Sequence, residues 1–307
     1  MLPSNSKRVT PVLFLTVLFA SQSATAQPTA KDIRDVPADL QVPQMTSGNA
    51  APGMRVKQRL PGYPDAVYHA LYLPTDWNRN NKYPIIVELA GNGPFTNPYG
   101  DVSTGYVEGS KLGYGIASGQ KAIWLCAPFV NNAGSANVQT WWGNEPDHDA
   151  EPTVTYLKKL VPFVCENYGG DANRVLLTGF SRGAIACNYI GLHDDEIASL
   201  WKAMILYSHY DGVHKWSYPE SDTDSAKQRL KRLGDCPQLI CSEVFDGPTN
   251  IAGTRKFIAS TQIKVRATYL STGFRNHNDA WILRPSDARR MLRLWVNENF
   301  DANTATP

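Results

Sequence analysis

The chain has 307 residues, a formal net charge of +2 at pH 7 and 42% hydrophobic residues. This length is enough for one large domain or two small ones with a sizeable core. Acidic and basic residues nearly balance, so the chain lacks the excess positive charge that binds nucleic acid or anionic lipid, and we expect small neutral substrates as partners.

The first 26 residues have the layout of a secretory signal peptide. Two basic residues are followed by an apolar run at 12–20 and by the small residues 24–26. The apolar run is too short to span a bilayer permanently. We therefore expect cleavage after Ala26, a formally neutral mature chain that begins at Gln27, and a secreted or periplasmic location.

Composition divides the remainder into three parts. Residues 27–53 are rich in Pro, Ala, Thr and Ser and show little periodicity, which indicates a mobile N-terminal lead-in. Residues 54–300 contain strand patterns that alternate with helical patterns, and residues 301–307 form a tail. This alternation predicts one α/β domain, a mostly parallel sheet with helices on both faces, and no large lid.

The predicted elements follow in chain order. Two strands at 54–60 and 66–73 come first, and apolar strands at 83–89 and 122–127 follow. A helix at 152–168, a strand at 174–178 and a helix at 181–192 come next. The remaining strands are predicted at 203–207, 239–245 and 263–270, and the remaining helices at 222–233 and 286–299.

Five cysteines are present, and they are Cys126, Cys165, Cys187, Cys236 and Cys241. An odd number leaves at least one thiol free, even in an exported protein. Most are interpreted as small buried apolar residues, and their spacing gives no zinc site. If one disulfide forms, Cys165–Cys187 is favoured because the predicted helices that carry these residues flank the same strand.

The segment Gly179-Phe180-Ser181-Arg182-Gly183 matches the pattern G-x-S-x-G. The pattern alone is weak, since chance supplies it in about one in ten chains of this length. Here an apolar strand enters it and an apolar helix leaves it, as in a nucleophile elbow, where small residues permit the strained turn that exposes the serine. The sequence therefore predicts that Ser181 is a nucleophile.

A serine nucleophile needs a base, and the base needs an orienting acid. His277 follows the last predicted strand, where the order serine, acid, histidine places the base. Asp246 follows the preceding strand and is the favoured acid. Asp211, one strand earlier, is the alternative. Three other histidines lack metal-site spacing and are interpreted as residues of solvated turns, and they are His148, His209 and His214.

Two further groups of residues complete the predicted site. A tetrahedral intermediate needs two N–H donors for its oxyanion, and we assign the backbone of Arg182 and Asn92, which lies between two glycines after a strand. Trp141 and Trp142 lie in a loop at the ligand-binding edge of such sheets. A substrate-binding wall and simple loop packing are equally favoured for them.

These motifs resemble the α/β-hydrolase superfamily. Residues 91–93, the serine pentapeptide and His277 carry the resemblance, which covers about residues 54–300 and implies the α/β-hydrolase fold. Residues 171–175, which run into the pentapeptide, are similar to the polyhydroxybutyrate-depolymerase-like and feruloyl-esterase-like branch. That branch also has tryptophans in the loop that here holds Trp141, which implies an acyl-binding or aromatic-binding wall.

Two residues depart from the superfamily pattern. Ala90 stands where many members have His, and Arg182 replaces the small residue that is common after the serine. Neither change removes a backbone donor, so the predicted oxyanion hole is retained.

The sequence therefore predicts an exported serine esterase that forms an acyl-Ser181 intermediate and uses no metal or cofactor. Without a large lid, soluble or polymer-end esters are favoured over long-chain lipids. One alternative is a serine peptidase of the prolyl-oligopeptidase type, which is disfavoured because the residues before 54 are too few for its gating domain. Another is a catalytically silent protein that uses the fold to bind carbohydrate or a partner.

Overall fold

A nine-stranded, mostly parallel sheet forms the centre of the computed structural model, which describes residues 30–301. In chain order the strands are β1 (Met45–Thr46), β2 (Arg55–Gln58), β3 (His69–Tyr72), β4 (Tyr83–Leu89), β5 (Phe95–Thr96), β6 (Val102–Ser103), β7 (Ile123–Ala127), β8 (Gly170–Phe180), β9 (Ala203–Tyr207), β10 (Gln238–Ser242) and β11 (Ala267–Ser271). Strands β5 and β6 form a separate antiparallel pair.

The described part of the chain contains seven α-helices: α1 (Leu112–Ala117), α2 (Glu151–Tyr168), α3 (Arg182–Tyr189), α4 (Asp195–Ala198), α5 (Thr223–Leu230), α6 (Ile251–Thr261) and α7 (Asp287–Asp301). Short 3-10 turns occupy Ile33–Asp35, Val107–Gly109, Lys231–Leu233 and Asp279–Leu283. In residues 30–301 no helix is long and apolar enough to cross a membrane.

The order of strands across the sheet is β1-β2-β3-β7-β4-β8-β9-β10-β11. Strand β3 runs antiparallel to both of its neighbours, and every other pairing is parallel. The predicted fold class is therefore confirmed. Because the strands from β7 to β11 are parallel, the loops that follow them meet at one edge of the sheet.

Alternation along β4 shows why both faces of the sheet are covered. Ile85 and Val87 pack into the larger core with α2 and α3, whereas Ile86 packs into the core on the opposite face with α1 and α7. Side chains of a strand point alternately to its two faces, so a strand with apolar residues at successive positions must be buried on both.

Helix α1 was not predicted from the sequence, because its six residues contain two glycines and no helical apolar period. A buried side chain from the sheet stabilises its beginning. Both carboxylate oxygens of Glu88 accept hydrogen bonds from the backbone N–H groups of Lys111, Leu112 and Gly113, at 2.9–3.1 Å. Tertiary contacts thus stabilise a helix that the local sequence alone would not favour.

The N-terminal lead-in differs from the prediction over the residues that the structure describes. Ile33 is buried in the core, and β1 pairs in parallel with β2 at the edge of the sheet. The segment does lack a periodic pattern, as the sequence indicates. A segment without such a pattern can still pack against the rest of the protein, and mobility therefore does not follow from the lack of periodicity. The predicted signal peptide, its cleavage site and residues 302–307 of the tail lie outside the described residues.

All five cysteines are free thiols. Cys126, Cys187 and Cys241 are buried, in agreement with their interpretation as small apolar residues. The favoured Cys165–Cys187 disulfide is absent from the described structure. Cys187 lies on α3 and is buried in the larger hydrophobic core, whereas Cys165 lies on α2 and is partly exposed.

Candidate active site

Ser181 lies in the sharp turn between β8 and α3. Its backbone has φ 55° and ψ −114°, a combination that non-glycine residues rarely adopt and that stores strain. The N–H of Ser181 donates to the carbonyl of Tyr207 at the end of β9, at 2.9 Å, and this bond holds the turn in place. The turn has the strained strand–turn–helix geometry that the motif predicted.

The two glycines of the motif are required by close packing. A Cβ on Gly179 would lie 2.2 Å from the backbone of Gly183, and a Cβ on Gly183 would lie 1.8 Å from the carbonyl oxygen of Leu89. Real side chains do not tolerate such distances. The glycines therefore let α3 start directly against the end of β4.

The structure brings His277 to Ser181. His277 Nε2 lies 3.1 Å from Ser181 Oγ, and His277 Nδ1 lies 2.7 Å from Glu243 Oε1. These distances are those of a nucleophile, a base and an orienting acid in hydrogen-bond contact.

Neither aspartate predicted as the acid contacts His277. Asp246 is exposed, and Asp211 is buried in an ion pair with Arg229, with Oδ2 2.9 Å from Nε. The reason is that β10 ends at Ser242, three residues before the predicted end, so the residue directly past the strand is Glu243. The strand itself was predicted correctly. Its predicted end at residue 245 placed Glu243 inside the strand, so Glu243 was not considered as the acid.

Glu243 is enclosed by hydrogen-bond donors. It is 6% exposed, Ser208 Oγ donates to its Oε1 at 3.0 Å, and Ser242 Oγ donates to its Oε2 at 3.3 Å. Burial opposes ionisation, but the hydrogen bond and the charge of His277 outweigh it and hold the pKa of Glu243 below its usual value. The residue is therefore a carboxylate at neutral pH.

The two predicted oxyanion donors lie beside Ser181. Arg182 is the first residue of α3, so its N–H has no partner within the helix. Among the described residues, neither this N–H nor that of Asn92 donates a hydrogen bond to a protein group. The side chain of Asn92 accepts the N–H of Trp141 at 2.8 Å, which fixes the loop that carries the second donor.

The side chain of Arg182 has a structural role that the sequence analysis did not predict. It is 1% exposed and donates to four backbone carbonyls. Nη2 reaches Gly91 and Gly105, both at 2.8 Å, Nη1 reaches Trp141 at 2.6 Å, and Nε reaches Ala90 at 3.3 Å. One guanidinium thus joins the loop after β4 to two other loops at the site.

Arg182 is also enclosed by apolar groups. Its guanidinium lies 4.0 Å above the ring of Phe129, and no carboxylate pairs with it among the described residues. Burial lowers the pKa of Arg182 to about 9. The presence of Arg in place of the usual small residue was the one sequence signal of this arrangement.

A cavity of about 210 Å³ opens at the Ser181 hydroxyl. Its lining residues are Asn92, Phe95, Ser103, Trp141, Phe180, Ser181, Arg182, His209, Trp216 and His277. The lining is mainly aromatic, and the volume is below the range of about 300–1,000 Å³ that is typical for drug-sized ligands. A larger cavity of about 770 Å³ lies elsewhere, but no histidine lines it.

The two candidate tryptophans have different environments. Trp141 is half-buried and lines the cavity, which is the position that a binding wall would require. Trp142 is fully buried and stacks on Tyr189, with ring centroids 4.3 Å apart, so it cannot form a wall of the cavity. For Trp142 the packing interpretation is correct, because its side chain points into the core rather than toward the sheet edge.

His209 was interpreted as part of a solvated turn, and the structure places it in the cavity wall instead. Its ring centroid lies 5.3 Å from that of His277, and its Nδ1 donates to the carbonyl of Ser208 at 3.0 Å. Burial and the neighbouring His277 lower the pKa of His209 to about 4, so the ring is neutral at neutral pH. His148 is also buried, whereas His214 is exposed.

Within residues 30–301 no three His, Cys, Asp or Glu side chains are grouped as metal ligands.

No protein-family model matches the sequence, and no curated protein is significantly similar to it. Solved structures do match. Esterase Est22 aligns with a TM-score of 0.53 and 17% identity, over 80% of this chain and 79% of that one. A fungal esterase from Rhizomucor miehei aligns with a TM-score of 0.52 and 12% identity, over 80% and 82%. The chain has the α/β-hydrolase fold.

The α/β-hydrolase fold also occurs in larger proteins that match this chain. A putative dipeptidyl aminopeptidase IV from Bacteroides ovatus aligns with a TM-score of 0.51 and 17% identity, over 77% of this chain but only 33% of that one. The chain likewise spans 62% of the thermostable esterase that it matches. At these identities the likeness shows the fold, and the activity has to be argued from the site.

Proposed function

We propose that this protein is a serine hydrolase that cleaves carboxylic esters through an acyl-Ser181 intermediate. One observation carries the proposal: Ser181 Oγ, both nitrogens of His277 and Glu243 Oε1 form one hydrogen-bonded series, with links of 3.1 and 2.7 Å. The series opens into a cavity beside two free backbone donors, which is the arrangement that acyl transfer requires.

In the acylation step, Ser181 Oγ attacks the ester carbonyl carbon while His277 Nε2 takes the hydroxyl proton. The Glu243 carboxylate stabilises the imidazolium that forms. The carbonyl oxygen becomes an oxyanion and accepts hydrogen bonds from the N–H groups of Arg182 and Asn92, each worth about 3 kcal/mol. His277 then gives its proton to the leaving alkoxide oxygen as the carbon–oxygen bond breaks.

In the deacylation step, a water molecule attacks the acyl carbon and His277 takes its proton. The second tetrahedral intermediate uses the same two donors. Its collapse breaks the bond to Ser181 Oγ, which regains a proton from His277 and releases the carboxylic acid.

The cavity supports esters of short or aromatic acids as substrates. Its aromatic walls bind apolar acyl groups, and its small volume excludes long ones. None of the described residues that line it is a carboxylate that could hold the amino group of a peptide. The peptidase alternative is therefore less well supported than the esterase.

The proposal is tested by active-site labelling and by substitution of the nucleophile. We expect a fluorophosphonate to label Ser181 and Ser181→Ala to reduce ester turnover by about 10⁴-fold or more. Ser103→Ala is the matched control, because it removes another hydroxyl from the same cavity, and it should still be labelled. If Ser181→Ala kept activity within about tenfold of wild type, the mechanism would be wrong. An unlabelled, inactive wild type would support the silent binding protein.

Ester and peptide chemistry are separated by one pair of substrates. The ester and the amide of the same short or aromatic acid should differ strongly in kcat/KM, with the ester preferred. A preference for the amide would support the peptidase.

Export is part of the proposal and rests on the first 26 residues alone. Intact mass of protein recovered from the medium or periplasm should correspond to a chain that begins at Gln27. A mass that retains residues 1–26 would contradict export with cleavage.

A further inference from the structure

We propose that residues 31–34, here called the N-terminal segment, are a positioning element of the active site that holds the loop carrying His277. This inference rests on the proposed role of His277 as the base. None of these residues lines the cavity or contacts Ser181, so the segment can act on the chemistry only through His277.

Backbone pairing joins the N-terminal segment to residues 272–278, the loop that carries His277 and is here called the histidine loop. The N–H of Lys31 donates to the carbonyl of Gly273 at 3.0 Å, and the N–H of Arg275 donates to the carbonyl of Lys31 at 2.9 Å. Lys31 and Phe274 thereby form a parallel β-bridge. The loop also accepts the N–H of Val244 at the carbonyl of Phe274, at 2.7 Å, so the N-terminal segment is its second backbone partner, from more than two hundred residues earlier.

A buried carboxylate adds a second connection. Asp32 is 3% exposed, and its Oδ2 accepts from Arg275 Nη2 at 2.7 Å and from Arg34 Nη2 at 2.7 Å. The hydrogen bond from Arg34, assisted by Arg275, holds the pKa of Asp32 far below its usual range despite burial. The carboxylate is therefore ionised at any working pH and keeps both guanidiniums in place.

A third connection acts on the residue directly before the histidine. The N–H of Ile33 donates to Asn276 Oδ1 at 2.8 Å, and Asn276 Nδ2 donates to Asp101 Oδ1 at 3.1 Å. The backbone carbonyl of Asn276 accepts from Tyr207 Oη at 3.0 Å. Asn276 is fully buried. Hydrogen bonds to the N-terminal segment and to Asp101 thus fix the side chain of Asn276, and the hydrogen bond from Tyr207 of β9 fixes its backbone.

The consequence for His277 follows from geometry. The imidazole must satisfy Ser181 and Glu243 at the same time, and a displacement of about 1 Å in such a site costs about 10²-fold in rate. Releasing the N-terminal segment removes one of the two backbone partners of residues 273–275 and one of the two contacts of the Asn276 side chain. We therefore expect a loss in the chemical step without a loss in substrate binding.

The test compares Asp32→Asn with Asp39→Asn. Both replacements remove one carboxylate from the same N-terminal stretch and break an Asp–Arg pair, but Asp39 pairs with Arg289 of α7, at 2.6 Å, and not with the histidine loop. Asp32→Asn should lower kcat by about tenfold or more and leave KM within about twofold. Asp39→Asn should keep kcat within about twofold of wild type.

A second variant and a direct signal guard against a misfolded Asp32→Asn protein. Arg275→Gln breaks the same ion pair from a side chain that is 43% exposed, and it should reproduce the fall in kcat. The Nδ1–H proton of His277, hydrogen-bonded to Glu243, should give a downfield NMR signal in wild type and in Asp39→Asn. That signal should broaden or shift upfield in Asp32→Asn and Arg275→Gln.

Two results would overturn the inference: wild-type kcat in folded Asp32→Asn and Arg275→Gln, or equal losses of kcat in the Asp32 and Asp39 variants. Failure of the proposed function looks different. In that case wild type itself would be inactive and unlabelled by the phosphonate, while the NMR comparison would still report whether the segment positions His277.

Discussion

His277 Nδ1 lies 2.7 Å from Glu243 Oε1, the first residue after β10, and Ser208 Oγ donates to the same carboxylate oxygen at 3.0 Å. Ser208 Oγ also lies 2.9 Å from His277 Nδ1, so the hydroxyl, the carboxylate and the imidazole form one hydrogen-bonded cluster. An acid that is fixed in this way keeps the Nδ1–H tautomer of His277, which leaves Nε2 free to take the proton of Ser181.

We expect Glu243→Gln to reduce kcat by about 10⁴-fold at neutral pH, because an amide can leave the imidazole in the wrong tautomer. Asp246→Asn is the control, since Asp246 is exposed, and it should keep at least a tenth of the wild-type activity. Ester turnover and circular dichroism of both variants provide the measurement. Severe impairment of Asp246→Asn with full activity of Glu243→Gln would show that the geometry has been misassigned.

Arg182→Met should lower kcat by about 10²-fold with a smaller effect on KM. The backbone donor of residue 182 remains, but the carbonyls of Ala90, Gly91 and Gly105 lose the guanidinium that fixes their loops, so the oxyanion donors lose their alignment. Stability should also fall, by about 1–3 kcal/mol for each buried carbonyl left without a donor.

Arg182→Lys is the informative companion, because a lysine keeps the charge but not the planar fork. It should lie between wild type and Arg182→Met in kcat and in melting temperature. A Lys variant that is worse than the Met variant would mean that the buried charge, rather than the lost hydrogen bonds, dominates.

Substitution of Trp141 should affect substrate binding, whereas substitution of the neighbouring Trp142 should affect stability. Trp141→Ala should change the preference among acyl groups of different size, measured as kcat/KM over a series of esters, since Trp141 lines the cavity. Trp142→Ala should cost about 3–5 kcal/mol of unfolding free energy, because its side chain is fully buried. Equal effects of both on acyl preference would contradict this division.

His209 should make stability depend on pH below neutrality. Its pKa is about 4 in the folded protein and about 6.5 when unperturbed, so the folded state disfavours the protonated form. The contribution is fully present above about pH 6.5 and is lost as the pH falls from 6.5 through 4, with a slope of up to about 1.4 kcal/mol per pH unit.

Urea unfolding of His209→Asn between pH 7 and 4.5 should therefore show a flatter dependence than wild type. The exposed His214 provides the control, and His214→Asn should follow the wild-type curve. A His209 variant with an unchanged slope would rule out this source of pH dependence.

Sequence patterns pointed to Ser181 and His277, the proposed nucleophile and base, because both depend on local signals. A strand, a small-residue turn and a helix define Ser181, and β9 was predicted with the bounds that the structure shows, Ala203–Tyr207. The acid was missed because the boundary of one strand was placed three residues late. Periodicity reports that a strand exists far better than it reports where the strand ends.

The remaining features could not be predicted because they depend on contacts between distant segments. The guanidinium of Arg182 reaches carbonyls that lie 41 to 92 residues away. Ile33 and Asn276 are 243 residues apart. Each of these hydrogen bonds uses a backbone group of one partner, and a backbone group carries no side-chain signature in the sequence, so no motif could have revealed the partners.

None of the five thiols takes part in a disulfide, so the sheet and its helices are held together without a covalent cross-link. Folding of this chain therefore requires no oxidant and no disulfide exchange. Residues 30–301 should reach the same native state under reducing and under oxidising conditions. Protein made inside the cell without its first 26 residues should then have the same fold, and thiol reductants can be present throughout purification and assay.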